Sequence, residues 1–185
     1  MRNPFDQLAK RIVERALAPA GPVLIQHEIA PDTRAADIWF EPDPAREAVL
    51  RERGLFGRLM SRPSLLEPFH GTPDLDDMRA CVHKQLSLDQ TRLAKARREK
   101  RSRPPFPHLW VPSTGRPVGV FEAYGFTPMP GFPPGCWGRR EADAVGIVVL
   151  RELPRDRDTL FLRLMAADEV LAEAIVELLG LPEDA

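Results

Sequence analysis

The sequence predicts an α/β domain with a mixed central β-sheet flanked by helices. Amphipathic helical patterns alternate with short apolar runs, turn residues bound those runs, and 43% of the 185 residues are hydrophobic. A chain of this length and hydrophobic content can bury one core. We therefore expect residues 1–185 to form a single domain.

The first part of the chain reads as a helix, two strands and a second helix. Residues 5–17 repeat apolar side chains at helical spacing, and the stretch APAGP that follows ends the pattern. VLIQHEI (23–29) and AADIWFE (35–41) predict neighbouring strands joined by a turn. Residues 44–61 carry a further helical pattern, weakened by two glycines.

The middle of the chain predicts a strand, a long helix and a packed loop region. SLLEPF (64–69) is a short strand, and residues about 75–100 form the long helix. Residues about 104–141 are rich in Pro and Gly but retain Phe and Trp, which indicates a packed region and not a linker. Two strands are expected within it, HLWVPS (108–113) and VGVFEAY (118–124).

The last part of the chain predicts one strand and two helices. AVGIVVLREL (144–153) has the strongest strand pattern of the sequence. Asp156 or Asp158 is expected to cap a helix through TLFLRLM, and a final helix is expected over about 167–180.

Composition excludes several classes of protein. The formal net charge is −1, so binding of nucleic acid would need a local basic patch. Cys81 and Cys136 form no CxxC pair, which argues against a structural zinc site. The N-terminal stretch lacks the apolar core of a signal peptide, and no apolar run of about 18 residues is present. These features favour a cytoplasmic protein.

Two carboxylates interrupt apolar runs that are expected to be strands. Asp37 precedes Ile38, Trp39 and Phe40, and Glu67 follows a pair of leucines. A buried carboxylate is costly unless it is paired, hydrogen-bonded or bound to a metal. Asp37 and Glu67 are therefore candidate metal ligands, although both could also be ordinary acids at strand ends.

The first helix offers a further acid. With Phe5 as the origin of a helical wheel, Asp6 falls at about 100°, at the rim of the apolar stripe, and Glu14 at about 180°. A rim acid can reach a cleft, so Asp6 is a candidate catalytic residue, whereas Glu14 is expected to face solvent. The alternative for Asp6 is a first-turn acid stabilised by the helix dipole.

On the long helix, Lys84 and Gln85 are the polar residues closest to the apolar stripe. Gln85 lies in the middle of the stripe and Lys84 at its edge, so either side chain could meet Asp37 and Glu67. The alternatives are a buried amide bonded to backbone carbonyls for Gln85 and an amphipathic stem for Lys84. Two carboxylates with a nearby lysine suit a phosphodiesterase that uses Mg²⁺ or Mn²⁺.

The order of helix, strand, strand with Asp, strand with Glu and helix resembles the PD-(D/E)XK nuclease superfamily. FDQLAK (5–10) and residues 150–182 are similar to segments of its branch of recombination-promoting nucleases and putative transposases. The resemblance implies a restriction-endonuclease-like fold, with Asp37 as the strand acid and Asp6 as the acid of the N-terminal helix motif.

The same resemblance implies that Glu67 is the acid of the (D/E)XK element. Here EPF stands where E-x-K is expected, so Phe69 replaces the lysine. Some members of the superfamily supply the lysine from the following helix, which Lys84 would do in this chain.

The end of the long helix is strongly basic. RLAKARREKRSR (92–103) contains one acid and many cations that could grip phosphates. The candidate nucleic-acid-binding residues are Arg92, Lys95, Arg97, Arg98, Lys100 and Arg101. The alternative is a solvated helix end whose cations suit the helix dipole.

Three hypotheses follow from the sequence. The first is a metal-dependent nuclease acting on DNA or another nucleic acid, and the second is an inactive protein of the same fold that serves as a binding module or scaffold. The third is an interaction protein without nuclease ancestry. A homodimer or a protein partner is compatible with each of them, and a membrane partner is not expected.

Overall fold

A seven-stranded mixed β-sheet forms the centre of the computed structural model, which describes residues 4–28 and 35–180. Helices pack on this sheet, as the sequence predicts for an α/β domain. The strands are β1 (Val23–Glu28), β2 (Ala35–Phe40), β3 (Ser64–Leu66), β4 (His108–Ser113), β5 (Thr127–Pro128), β6 (Cys136–Gly138) and β7 (Val145–Val149).

The strands are arranged in the order β1-β2-β3-β4-β7-β6-β5. β3, β4 and β7 run parallel, while the remaining neighbours pair antiparallel. Parallel neighbours need a crossover connection, and a long helix supplies it between β3 and β4. This crossover carries the helix across the sheet face beside the end of β3.

Seven α-helices are assigned within the described ranges. They are α1 (Pro4–Leu17), α2 (Glu47–Arg51), α3 (Gly54–Leu59), α4 (Leu75–Arg98), α5 (Val118–Tyr124), α6 (Leu160–Arg163) and α7 (Asp168–Leu179). A capping box starts α4: the Asp74 side chain accepts from the Asp77 backbone N–H, and the Asp77 side chain accepts from that of Asp74. None of these helices is long and apolar enough to cross a membrane.

The two faces of the sheet bury different clusters because successive strand residues point to opposite sides. Phe40, Leu66 and Trp110 belong to the cluster that includes α1 and α3 residues. Trp39 and Leu65 belong to the cluster that includes α4 residues. We call these two sides the α3 face and the α4 face.

The prediction of a strand over 118–124 was wrong, since these residues form α5. Val120, Phe121 and the half-buried Tyr124 pack on the α4 face, while the residues between and before them are exposed, which is the period of a helix and not of a strand. Gly125 adopts a left-handed φ of 68° at the end of the helix, where its N–H bonds to the Phe121 carbonyl. Packing therefore overrides the strand propensity of this segment.

Other element boundaries differ from the sequence predictions in smaller ways. The helix expected over 44–61 is divided into α2 and α3, because Gly54 has a positive φ of 56° where the chain turns. The strand expected over 144–153 ends at Val149 and continues as a short 3₁₀ turn. Asp156 is the capping acid before α6, accepting from Thr159 N at 3.1 Å. The packed loop region also contains β5 and β6, which no sequence pattern indicated.

Candidate active site

Asp37 and Glu67 lie opposite each other on neighbouring strands. β2 and β3 pair antiparallel with Ile38 beside Leu66, so the same register places Asp37 beside Glu67, one residue beyond β3. The Asp37 backbone N–H donates to Glu67 Oε1 at 3.1 Å. Both residues alternate with residues of the α3 face, so both side chains belong to the α4 face.

The backbone of Glu67 is fixed from the other side by β4. Its N–H donates to the Trp110 carbonyl at 3.0 Å, which continues the parallel pairing of β3 and β4 past the last strand residue. The two neighbouring strands therefore hold the Glu67 carboxylate in one position, with its side chain only 2% exposed. The carboxylate therefore has a defined position in the site.

Each acid carries an ammonium partner from a different helix. Lys84 of α4 lies 2.6 Å from Glu67 Oε2, as its place on the helical wheel predicted. Lys10 of α1 lies 3.4 Å from Asp37 Oδ1. The Lys10 side chain is 5% exposed and that of Asp37 is 34% exposed, so the cluster opens to solvent on the Asp37 side.

The electrostatics of the cluster are set by the burial of Glu67. Burial raises the pKa of Glu67, repulsion from Asp37 adds to the rise, and Lys84 offsets part of it, giving a pKa of about 7. Burial would lower the pKa of Lys84, but the charge and hydrogen bond of Glu67 raise it overall. Lys84 is therefore protonated at neutral pH and acts as a donor and a positive charge, not as a base.

Gln85 does not contact the acids. Its side chain is 1% exposed, and Nε2 lies 2.9 Å from the Pro107 carbonyl, 3.0 Å from that of Ala144 and 3.3 Å from that of Asp143. The catalytic interpretation of Gln85 is therefore not supported by its contacts, and the buried-amide alternative describes it. Its position in the middle of the stripe turns it toward the loops before β4 and β7.

The side chains of α1 agree with the helical wheel to different extents. Glu14 is exposed, as expected from the wheel. Asp6 belongs to α1, but its side chain lies outside the described part of the structure. Lys10 was missed by the sequence analysis, because the wheel places it at about 140°, toward the polar side of the helix. Its spacing of four residues from Asp6, one helical turn, is the only signal that could have indicated it.

Phe69 occupies the position where the motif would carry lysine. It is half-buried, packs against the cluster of the α4 face, and forms an isolated bridge with Ser113. Its N–H donates to the Pro112 carbonyl at 2.8 Å. The lysine that contacts Glu67 comes from α4 and not from position 69.

The basic segment at the end of α4 is exposed except at its first member. Lys95, Arg97, Arg98, Lys100 and Arg101 are exposed. Arg92 differs: its guanidinium bonds to Glu41 and to the Pro105 carbonyl, both through nitrogens at 2.7–2.8 Å, and lies 4.9 Å from the centre of the Trp39 ring. Two of the Arg92 guanidinium nitrogens are therefore engaged within the protein, and phosphate binding by Arg92 stays a prediction.

The carboxylates of this cluster could bind a hard cation and its ammonium groups a phosphate oxygen, but the protein would supply few ligands to the cation. Within residues 4–28 and 35–180, no three His, Cys, Asp or Glu side chains come together as a group able to hold a metal. The cluster offers two carboxylates and two ammonium groups instead. Such a set suits a cation that keeps water and substrate among its ligands.

Comparisons of the chain with protein-family models, with curated proteins and with solved structures found no match.

Proposed function

We propose that this protein is a metal-dependent nuclease that hydrolyses phosphodiester bonds of nucleic acid. The observation that carries the proposal is the register of β2 and β3, which puts Asp37 and Glu67 side by side with Lys84 on Glu67. Two carboxylates and a lysine are the groups that such chemistry needs. The burial and raised pKa of Glu67 are also typical of functional sites.

The order of elements supports the restriction-endonuclease-like assignment. The chain runs from α1 through the antiparallel strands β1, β2 and β3 into α4 and the parallel strand β4. The acids lie on the second strand and directly after the third, which is the arrangement that the resemblance to PD-(D/E)XK nucleases implies. Lys84 takes the place of the motif lysine.

The two carboxylates fit Mg²⁺ or Mn²⁺ in chemical type. Mg²⁺ is commonly bound through one or two carboxylates together with water and substrate phosphate. The pKa of Glu67 is raised by burial and by the Asp37 charge, and a nearby divalent charge would relieve that repulsion. A bound Mg²⁺ or Mn²⁺ would polarise the phosphate and lower the pKa of a coordinated water.

The protein's own groups would orient the reaction. Water attacks phosphorus and gives up one proton as the new P–O bond forms. The ester P–O bond breaks as the leaving oxygen takes up a proton, so one water is consumed overall. Lys84, protonated and partly buried, would stabilise the negative charge that develops on the phosphate. Lys10 would hold the Asp37 carboxylate in place from α1.

The exposed cations after Arg92 would contribute the phosphate contacts that carry no sequence information. The helix that presents Lys84 ends with Lys95, Arg97 and Arg98. One rigid element would therefore connect the phosphate-binding cations to the reacting groups. Lys100 and Arg101 follow directly.

A second candidate is a non-catalytic binding or scaffold protein, and one observation favours it. The four charges of Lys10, Asp37, Glu67 and Lys84 already form two ion pairs, as they would in a cluster that serves stability alone. The replacement of the motif lysine by Phe69 points the same way.

Calorimetric titration of Mg²⁺ and Mn²⁺ separates the two candidates. The nuclease proposal expects saturable binding by the wild type that is lost in Asp37→Asn and retained in Glu14→Gln, a matched change at an exposed acid of α1. Cleavage of labelled duplex DNA, single-stranded DNA and RNA is then measured for the same three proteins. Absence of metal binding by the wild type would leave only the scaffold candidate.

A further inference from the structure

A cavity of about 430 Å³ lies on the α3 face, away from the acid cluster. Its walls come from α3, β4 and the loop between β5 and β6. It sits at the ends where β3, β4 and β7 begin, whereas Glu67 follows the end of β3 on the α4 face. Its volume is that of a small-molecule site, for which about 300–1,000 Å³ is usual.

The floor of this pocket is aromatic and rigid. Trp110 donates from Nε1 to the Leu59 carbonyl at 2.9 Å, and its ring is stacked on His108 with 4.1 Å between centroids. Gly146 lies beside Trp110 across the strand pair, and a Cβ there would lie 2.1 Å from the indole ring. The absence of a side chain at Gly146 therefore leaves the space that the indole ring occupies.

The apolar wall opposite is formed by the β5–β6 loop. Met129 packs over Gly138, where an added Cβ would lie 2.8 Å from its Cγ. Phe132 carries the Arg58 guanidinium 3.7 Å from its ring centre. Both side chains line the cavity, so a ligand would meet flat or apolar groups on two sides.

Arginines surround this apolar interior. Arg58, Arg62, Arg139 and Arg140 line the cavity, and Glu141 is the single acidic residue among the lining residues. Repulsion among clustered guanidinium groups is unfavourable, and an anion bound between them would relieve it.

The guanidinium N–H donors of two of these arginines are available to bind a ligand. Arg139 is engaged by the Tyr124 carbonyl and Asp143, and Arg58 donates to the Gly131 carbonyl. Arg62 and Arg140 are exposed, and among the described residues they form hydrogen bonds only through their backbone carbonyls, so their guanidinium groups are available to a ligand. Guanidinium groups suit carboxylates and phosphates because they donate two parallel hydrogen bonds.

We propose that this pocket binds a small organic anion with a flat aromatic body, held by Arg62 and Arg140 at the rim and by Trp110, His108 and Met129 inside. The acid terminus of the ligand, a phosphate or a carboxylate, faces the two arginines. The ring lies in the apolar interior. This site is separate from the acid cluster and does not depend on the proposed nuclease activity.

Calorimetric titration with two probes tests the proposal, namely adenosine 5′-monophosphate and 1-naphthoate. Adenosine and inorganic phosphate serve as the neutral and ring-free comparisons. Saturable binding of at least one probe, tighter than either comparison, is expected. Arg62→Ala/Arg140→Ala should weaken it by at least about tenfold, since two charge-assisted contacts are removed.

Two further variants make the result specific. Arg97→Ala/Arg98→Ala removes the same charge from the end of α4 and should bind the probes as the wild type does. Asp37→Asn should also bind normally, because the acid cluster lies on the other face.

The proposal is overturned if neither probe binds, or if the two arginine pairs affect binding equally. Loss of binding in Asp37→Asn would also overturn it, by locating the probe at the acid cluster. Melting temperatures of all variants verify folding, and those of the arginine variants are expected to be near that of the wild type because the substituted arginines are exposed.

Discussion

The Asp37 backbone N–H donates to Glu67 Oε1 at 3.1 Å, which joins two acids that are separated by 30 residues in the chain. This hydrogen bond stabilises the ionised form of a carboxylate that burial disfavours. It also fixes the Glu67 carboxylate at hydrogen-bond distance from the backbone of β2. The pair therefore depends on the register of β2 and β3, and a slip of one residue would separate the two side chains.

Replacing Lys84 by methionine should destabilise the protein more at pH 8 than at pH 5. Glu67 has a folded-state pKa of about 7, above its ordinary value of 4.5, and loss of Lys84 raises it further. A raised carboxylate pKa lowers stability as pH rises from the unfolded value through the folded one. We expect a loss of about 3 kcal/mol in the free energy of unfolding at pH 8, from urea titration, and a smaller loss at pH 5.

Two variants check the origin of this effect. Lys95→Met changes an exposed lysine of the same helix and should be nearly neutral at both pH values. Lys84→Met/Glu67→Leu removes both charges and should recover stability at pH 8. An equal loss at pH 5 and pH 8 would show that the stem of Lys84, and not its charge, is what matters.

Gln85→Leu should destabilise the protein without changing metal binding. The side-chain amide donates hydrogen bonds to the carbonyls of Pro107, Asp143 and Ala144. Leucine cannot donate, so these acceptors would lose their hydrogen bonds to residue 85. We expect a loss of about 2 kcal/mol in urea unfolding. Gln90→Leu on the exposed side of α4 is the control, with little expected change. Loss of metal binding in Gln85→Leu would instead restore the catalytic interpretation.

Acidification should destabilise the protein through His108. Burial lowers the pKa of His108 to about 4 from 6.5, and the Arg62 charge adds to the fall. The unfolded chain then binds a proton that the folded protein does not, so the His108 contribution to stability falls as pH drops from about 6.5 toward 4. The His108 contribution is about 2 kcal/mol at pH 4.5, and His108→Phe should lose correspondingly less stability than the wild type between pH 7 and 4.5.

Thermal melts across that pH range measure the difference. His83→Phe changes an exposed histidine of α4 and should follow the wild-type profile. Parallel pH profiles for the wild type and His108→Phe would contradict the assignment to His108.

Neutralising Arg97, Arg98 and Lys100 to glutamine should weaken nucleic-acid binding equally for all sequences. Each lost phosphate contact lowers the slope of log affinity against log salt by about 0.7–0.9, so the slope should fall by about 2 or more. Fluorescence anisotropy with labelled DNA at several salt concentrations measures it. The control removes three charges elsewhere, at Arg151, Arg155 and Arg157, and a similar fall there would mean that net charge alone sets the affinity.

Arg92→Gln should behave differently from those changes. Its guanidinium connects Glu41 and the Pro105 carbonyl and lies over Trp39, so the variant should lower the melting temperature. Its effect on the salt slope should be small. If Arg92→Gln lowers the slope of log affinity against log salt as much as an exposed arginine variant does, Arg92 contacts phosphate.

The sequence determined the features that depend on local periodicity. Apolar runs with one interrupting acid predicted β2 and the strand before Glu67, and the wheel of the long helix predicted that Lys84 could reach the acids. The capping acid Asp156 and the exposure of Glu14 were predicted for the same reason, since both follow from the residue's position on its own helix.

Tertiary structure alone decided the remaining features. Lys10 lies on the polar side of its helix in any wheel, and only the packing of α1 beside β2 brings it to Asp37. Val118–Tyr124 has strand-forming residues, yet it forms a helix that packs Val120 and Phe121 on the α4 face. Gln85 bonds to loops that begin more than twenty residues away. Such contacts join segments that are distant in sequence, and local periodicity carries no information about them.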